Sequence, residues 1–416
     1  MQIKVRLLSV IFWCVRTEAR FLKMYLNKRP SQKKRIAVLE PCPSSVGSNG
    51  DEALIEGTCR FLNEQPNTTV EILSFLDEYD GHLPVNTVYG GSLYCRSDRH
   101  FRRIIHYFAW PFLLARYDAL YIIGADLIDG YYSKSVSIFL FFLLKTCDNL
   151  GGKGHLISCS FNDSSPQQVR QTAKKLLQNV RVHARDIYSA NRLSEILGRP
   201  VRHSADVAFG LLPESSNNGQ EIVRWIRVQE AAGRMVIALN INLLPITRQF
   251  AGRDAVYIRQ WGTWLTEMTG KNYSFVFLPH DYRGKWSDEM AVIKLFNLVS
   301  PDVHCHCFLP KTRLHAGEIK YIVGHCQLTV TGRMHLAIAS MGSGVPVIAY
   351  AYQKKFEGIL RLFGIESCVR PIKNIFEHVG AEVIFAEQIA GNIEHWQEVV
   401  RANVDNVLTL ARENIT

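Results

Sequence analysis

The sequence predicts an α/β protein built on two doubly wound parallel sheets, and three observations predict it. Short apolar runs alternate with segments of helical periodicity along most of the chain. A run such as Ala119-Leu120-Tyr121-Ile122-Ile123 is continuous rather than alternating, the pattern of a parallel strand covered on both faces. The alternation pauses at residues 213–219 (PESSNNG), which have linker composition, and then restarts. At 416 residues the chain also exceeds one ordinary core. The expected parts are a leader over 1–35, a first α/β domain over 36–212, a second over 213–385 and a helical segment over 386–416.

Taken in order, strands are expected at Arg35–Glu40, Thr69–Leu73, Ala119–Ile123, His155–Cys159, Val180–Ala184 and around Val201. Helices are expected over 51–63, 135–146, 165–179 and 187–197. The second domain is expected to hold strands at Met235–Asn240, Tyr273–Leu278, Val303–Phe308, Leu328–Thr331 and Val345–Tyr350. Its helices are expected over 220–232, 255–269, 287–299 and 315–323, with one more after Gly332. Two such sheets joined by a linker form a cleft, and open sheets bind ligands beyond the carboxyl ends of their strands. The residues just after strands therefore bear reading for chemistry.

Composition narrows the classes. Apolar content of 47% with 21% charged residues is that of a globular protein. The net charge of +10 is concentrated in residues 1–35, where ten basic side chains face Glu18 alone. The body is nearly neutral, which does not support a duplex-binding footprint. The leader's apolar run, Leu7–Val15, is too short to span a bilayer and carries no cleavage site. Its basic, amphipathic pattern suits a helix lying on an anionic membrane surface, or equally one docked on the protein's own core. Ten scattered cysteines without CxxC spacing read as reduced thiols of a cytoplasmic protein, peripheral at the inner face of the membrane if the leader binds there.

Four loops carry candidate chemistry. The first, 46–54 (VGSNGDEAL), sets glycines before a helix start whose first turn is acidic, so Asn49 and Asp51 suit sugar hydroxyls better than a pyrophosphate. No nucleotide fingerprint is present. The second, 124–130 (GADLIDG), offers Asp126 and Asp129 for hydroxyls or for ordering the loop, with no third ligand at a metal's spacing. In the third, Arg185 either faces a ligand or pairs with Asp186. The fourth, Gly332-Arg333-Met334-His335, sets a guanidinium fork at a helix start with an imidazole two residues on. That pairing suits a bound carboxylate or phosphate beside a proton donor. His280, after the strand ending at Leu278, is an auxiliary candidate.

These residues in this order resemble the polysaccharide pyruvyl transferase family. The resemblance runs from about residue 36 to 365. It rests on the glycine-rich Asp-Glu-Ala-Leu turn at 50–54, the strand and loop at 121–129, and Arg185-Asp186 with Ser189. Asp206, Arg333-Met334-His335, the run Gly344-Val345-Pro346-Val347-Ile348 and Tyr352 complete it. Ser48 stands where the family usually has asparagine, and Asn49 follows one position later. The resemblance implies a GT-B-like pair of Rossmann-like domains and phosphoenolpyruvate as donor, with no cofactor and no metal. The product would be a pyruvate ketal across two hydroxyls of a glycan or lipid-linked oligosaccharide. Arg333, Arg185, Gly332 and Met334 would hold the donor, His335 would act as general acid with Arg333, and Asn49, Asp51, Asp126, Asp129 and His280 would meet the acceptor. The runner-up is a nucleotide-sugar glycosyltransferase of the same architecture, with Glu318 in its donor helix; a third reading is a glycan-binding protein without turnover.

Two features point away from function. His304-Cys305-His306-Cys307 tempts a zinc reading, but on a strand over 303–308 alternate residues face opposite sides. The aromatics Tyr107, Phe108, Trp110 and Phe112 read as core.

Overall fold

The computed structural model describes residue 23 and residues 33–40, 47–74, 86–89, 109–352 and 355–416, excluding the side chains of 86–89, 248 and 355. The leader helix expected within residues 1–35 lies outside the described residues apart from Lys23 and residues 33–35, and so do Tyr107 and Phe108. Trp110 is buried and meets Phe139 edge-on at 6.0 Å, whereas Phe112 is exposed.

Two compact units divide the chain. The first comprises Met1–Val46, Leu54–Val207 and Ala411–Thr416, and the second Gly47–Ala53 with Ala208–Leu410. The first unit holds a parallel sheet of β1 (Lys34–Leu39), β2 (Thr68–Ser74), β3 (Asn86–Tyr89), β4 (Ala119–Ala125), β5 (Lys153–Cys159), β6 (Arg181–Ala184) and β7 (Arg202–His203). Their order is β3-β2-β1-β4-β5-β6-β7, so the chain starts centrally, winds one way and then reverses at β1/β4. Every residue of β4 is buried, as its unbroken apolar run requires. Helix Lys134–Asn149 covers the sheet with ten buried side chains and is started by Ser133, whose hydroxyl accepts the Val136 N–H. The last residues of the chain are stitched into this unit: the buried Asn414 amide accepts from Ser158 N–H and the Ser204 hydroxyl and donates to Ala205 O.

The second unit repeats the plan with β8 (Met235–Leu239), β9 (Tyr273–Phe277), β10 (Cys307–Phe308), β11 (Leu328–Thr331), β12 (Val347–Ala351) and β13 (Val369–Pro371). The parallel order β10-β9-β8-β11-β12-β13 reverses between β8 and β11. Both expected doubly wound sheets are therefore present. Residues after β8 and β11 flank the switch point, where such sheets open to ligands.

Local details depart from expectation. Val303 is helical, not extended: Pro301 and Asp302 open a short helix, Pro301–His304, and only Cys307–Phe308 is strand. The helix expected from 220 starts inside the linker, at Asn217, because the Ser216 hydroxyl accepts the Gly219 N–H at 3.0 Å. The edge strands β3 and β13 and the helix Leu244–Gln249 carry no strong period of their own and were not expected.

Candidate active site

The sharpest constellation lies in the second unit, where β11 ends. The Thr331 hydroxyl accepts the Arg333 N–H at 2.9 Å and shapes the turn into helix Met334–Met341. This turn sends the Arg333 guanidinium onto Asp288, the first residue of helix Asp288–Phe296. Nε lies 3.1 and 3.0 Å from the two carboxylate oxygens and Nη2 2.7 Å from Oδ1. Asp288 is fully buried and also accepts from the Asn240 amide at 2.9 Å and the His280 N–H at 3.0 Å. Burial opposes the arginine's charge, but Asp288 and then Asp281 outweigh it, so its pKa is raised.

Gly47–Ala53 belongs to this unit through a set of backbone bonds. Ser48 bridges Asp281 antiparallel, Asn49 N–H donates to His280 O at 3.1 Å, and Tyr282 N–H donates to Gly47 O at 2.8 Å. Asn49 is buried, with its amide donating to Leu314 O at 2.9 Å. This docking brings Gly50 against His335: a Cβ on Gly50 would lie 2.4 Å from the imidazole Nδ1. Only a residue without a side chain leaves the half-buried ring in place.

Three further groups complete the surroundings. His280 is buried, and neither ring nitrogen meets a hydrogen-bond partner among the described residues. Burial, then His335 and Arg333, hold its pKa well below the usual histidine value, so it is neutral near pH 7. Asp281 accepts Arg283 N–H, Nε and Nη2 at 3.0, 3.0 and 2.8 Å, which against the cost of burial lowers its pKa. Glu52 accepts from His315 Nδ1 at 2.9 Å, and this bond raises the His315 pKa.

The structure thus brings Asn49, Asp51, His280, Gly332, Arg333, Met334 and His335 into one unit. Met334 turns its side chain into the core, so any part toward a ligand falls to its backbone. Asp126, Asp129 and Arg185 belong to the first unit. Arg185 is 1% exposed there, with Nε donating to Ser160 Oγ at 2.7 Å, Nη1 to Asp206 at 3.0 Å and Nη2 to Asp126. Two carboxylates neutralise this buried charge in an internal ion-pair network. The alternative pairing with Asp186 is not formed; Asp186 accepts from Ser189 N–H and Oγ at the start of helix Ile187–Leu197. Asp129, fully buried, accepts the Tyr131 N–H at 2.9 Å and the Asn162 amide and so orders its loop. Asp126 pairs with Arg185. Glu318 accepts the His315 N–H at 2.7 Å, closing a capping box on its own helix.

Sequence reasoning missed Gly50 as a contact of His335, Asp288 as the anchor of Arg333, and Arg283. Each is named by proximity across strands, for which a lone sequence has no signal. Asp281-Tyr282-Arg283 after an expected strand was the one usable hint.

Two parallel sheets, each reversing its winding at a switch point, define an α/β protein of GT-B-like fold. Residues 50–354 match the polysaccharide pyruvyl transferase family, and the chain belongs to it. It is 22% identical over 300 residues to the amylovoran biosynthesis protein AmsJ of Erwinia amylovora, covering 70% of this chain and 69% of that one. Among solved structures it resembles the UDP-GlcNAc 2-epimerase of Neisseria meningitidis, with TM-score 0.53, 12% identity and coverage of 92% and 99%. It also resembles an α,α-trehalose-phosphate synthase (UDP-forming) of Burkholderia vietnamiensis, with TM-score 0.56, 11% identity and coverage of 92% and 98%. At such identities these two likenesses speak to fold alone. Among the described residues no helix is long and apolar enough to cross a membrane.

Proposed function

We propose that the protein transfers the enolpyruvyl group of phosphoenolpyruvate onto two hydroxyls of one sugar in a glycan or lipid-linked oligosaccharide, forming a cyclic pyruvate ketal and releasing phosphate. The observation that carries this reading is Arg333, fixed by Asp288 at 2.7 Å, with an imidazole two residues on, in a chain of this family. The donor is an anion carrying a carboxylate and a phosphate close together, which a guanidinium binds well.

In the proposed sequence, His335 gives a proton to the methylene carbon, and the double-bond electrons form the new C–H bond. C2 becomes electrophilic, and one sugar hydroxyl adds to it and loses its proton. The C2–O bond to phosphorus then breaks, phosphate leaves with the electron pair, and the second hydroxyl closes the ring. Of the two hydroxyl protons, one replaces that given to the new methyl group and one leaves with phosphate, so the reaction balances without a redox partner. Arg333 steadies the anionic donor and the departing phosphate. The buried neutral His280 keeps a second positive charge from competing with His335 for the proton-donor role. The leader 1–35 would hold the protein at the cytoplasmic face of a membrane, where a lipid-linked acceptor resides.

The test is phosphate release from phosphoenolpyruvate in the presence of a lipid-linked oligosaccharide extract, with mass spectrometry of the product. A gain in acceptor mass matching a pyruvate ketal is expected. Thermal stabilisation by a UDP-sugar but not by phosphoenolpyruvate would replace the reading with a glycosyltransferase, and no response to either donor would leave a binding protein.

A further inference from the structure

This inference rests on the donor reading above. A trianionic donor calls for more than one cation. A second guanidinium stands beside Arg333. Asp281 lies between the two: its Oδ2 is 2.8 Å from Nη2 of Arg283 and 3.4 Å from Nη1 of Arg333, and its Oδ1 accepts Nε of Arg283 at 3.0 Å. Two guanidiniums therefore converge on one planar carboxylate, the geometry in which such forks hold carboxylate ligands.

The two carboxylates around Arg333 are not equivalent. Asp288 is fully buried and locked by Arg333, Asn240 and His280 N–H. Asp281 keeps 9% side-chain exposure, stands further from Arg333, and shares a loop with Arg283, whose side chain is 34% exposed. Arg283 also reaches Asp51 at 3.5 Å, and its stem lies on Gly47, where a Cβ would come 3.2 Å from Arg283 Cγ. The glycine, at φ +91°, leaves room for that arginine.

We propose that Arg283 is the second cation of the donor site, and that Asp281 holds the place of the donor's carboxylate until the donor arrives. With the site empty, Asp281 keeps two like charges from facing each other unscreened. With the donor bound, its carboxylate bridges Arg283 and Arg333, while Asp288 keeps Arg333 oriented throughout.

The experiment is calorimetric titration of the full chain, wild type and the variants R283A, R283K and D281N, with phosphoenolpyruvate and separately with inorganic phosphate. R283A is expected to bind phosphoenolpyruvate at least tenfold more weakly, R283K to recover part of the loss, and D281N to bind as tightly as wild type or more so. Inorganic phosphate is expected to lose less than phosphoenolpyruvate in R283A. R283A within twofold of wild type overturns the role of Arg283. D281N as weak as R283A makes Asp281 a scaffold and overturns the exchange. Equal losses for both ligands put phosphate in that place and overturn the carboxylate assignment. Wild type that does not bind phosphoenolpyruvate overturns the donor reading itself, which none of the other outcomes does. Melting curves separate loss of site from loss of fold, and R283K keeps the charge if R283A does not fold.

Discussion

Gly50 and His335 occupy adjoining space, with room for no atom between them: a methyl on Gly50 would lie 2.4 Å from the imidazole Nδ1. In an ordinary helix, replacing Gly by Ala gains about 1 kcal/mol. Here the crowding opposes that gain, since overpacking costs about 1–3 kcal/mol. Gly50→Ala is expected to lower the melting temperature slightly and turnover at least tenfold, with little change in the KM for phosphoenolpyruvate. A variant as stable and active as wild type would show that the ring has another place to go.

Asp288 and Arg333 form a buried pair, and the two ways of breaking it should differ. Asp288→Ala leaves a guanidinium without its anchor at a cost of about 3–5 kcal/mol. Asp288→Asn retains a carbonyl acceptor and should cost less. Denaturant unfolding of both variants measures the difference; equal losses would mean that shape, not charge, holds the arginine.

Two histidines of the second unit should titrate stability in opposite directions. The His315 pKa is raised by its bond to Glu52, so the stability it adds is complete below the unfolded value of about 6.5 and is lost as pH rises through the folded value. The His280 pKa is depressed by burial, so the unfolded chain binds its proton more readily and stability falls as pH drops below about 6.5. Glu52→Gln is expected to flatten the alkaline-side slope only, and His280→Gln the acid-side slope only. Melting temperatures from pH 5 to 8.5 decide it, and a Glu52→Gln profile parallel to wild type would rule out the pair's contribution.

The first unit carries its own acid sensitivity. His155, stacked on Tyr121 at 4.2 Å, has its pKa pushed down to about 3, and His183 to about 4, chiefly by burial. Each binds its proton only when the unit unfolds, so at pH 5 each costs stability of roughly 2 kcal/mol relative to pH above 6.5. His155→Phe keeps the stack and removes the proton site. Its loss of stability between pH 7 and pH 5 is expected to be roughly 2 kcal/mol smaller than that of wild type; an unchanged loss would assign the sensitivity elsewhere.

Reading the chain in one dimension works where a segment's own pattern is strong. The run over β4 announced a strand covered on both faces, and the switch of period through the second half announced β8, β9, β11 and β12. It failed where a single side chain sets a boundary, as Ser216 does for the helix starting at Asn217 and Pro301 for the short helix that takes the first residues of an expected strand. Of the candidate site, Arg333 and His335 were legible as a pair because they are close in sequence and follow a strand. Arg185 carries the same signal, a charged residue after a strand, yet the fold closes Asp126 and Asp206 over it.

What the residues alone determined was the pair of wound sheets and the family, and they pointed to the turn after Thr331 as the candidate place for chemistry, because hydrophobic period and loop position are local properties. Which charges that turn meets was decided only in three dimensions. Asp288 lies 45 residues before Arg333, and Gly50 about 285 before His335. Coulomb attraction and steric exclusion act through space, and a chain's order does not say which distant segments fold to within a few ångströms of each other.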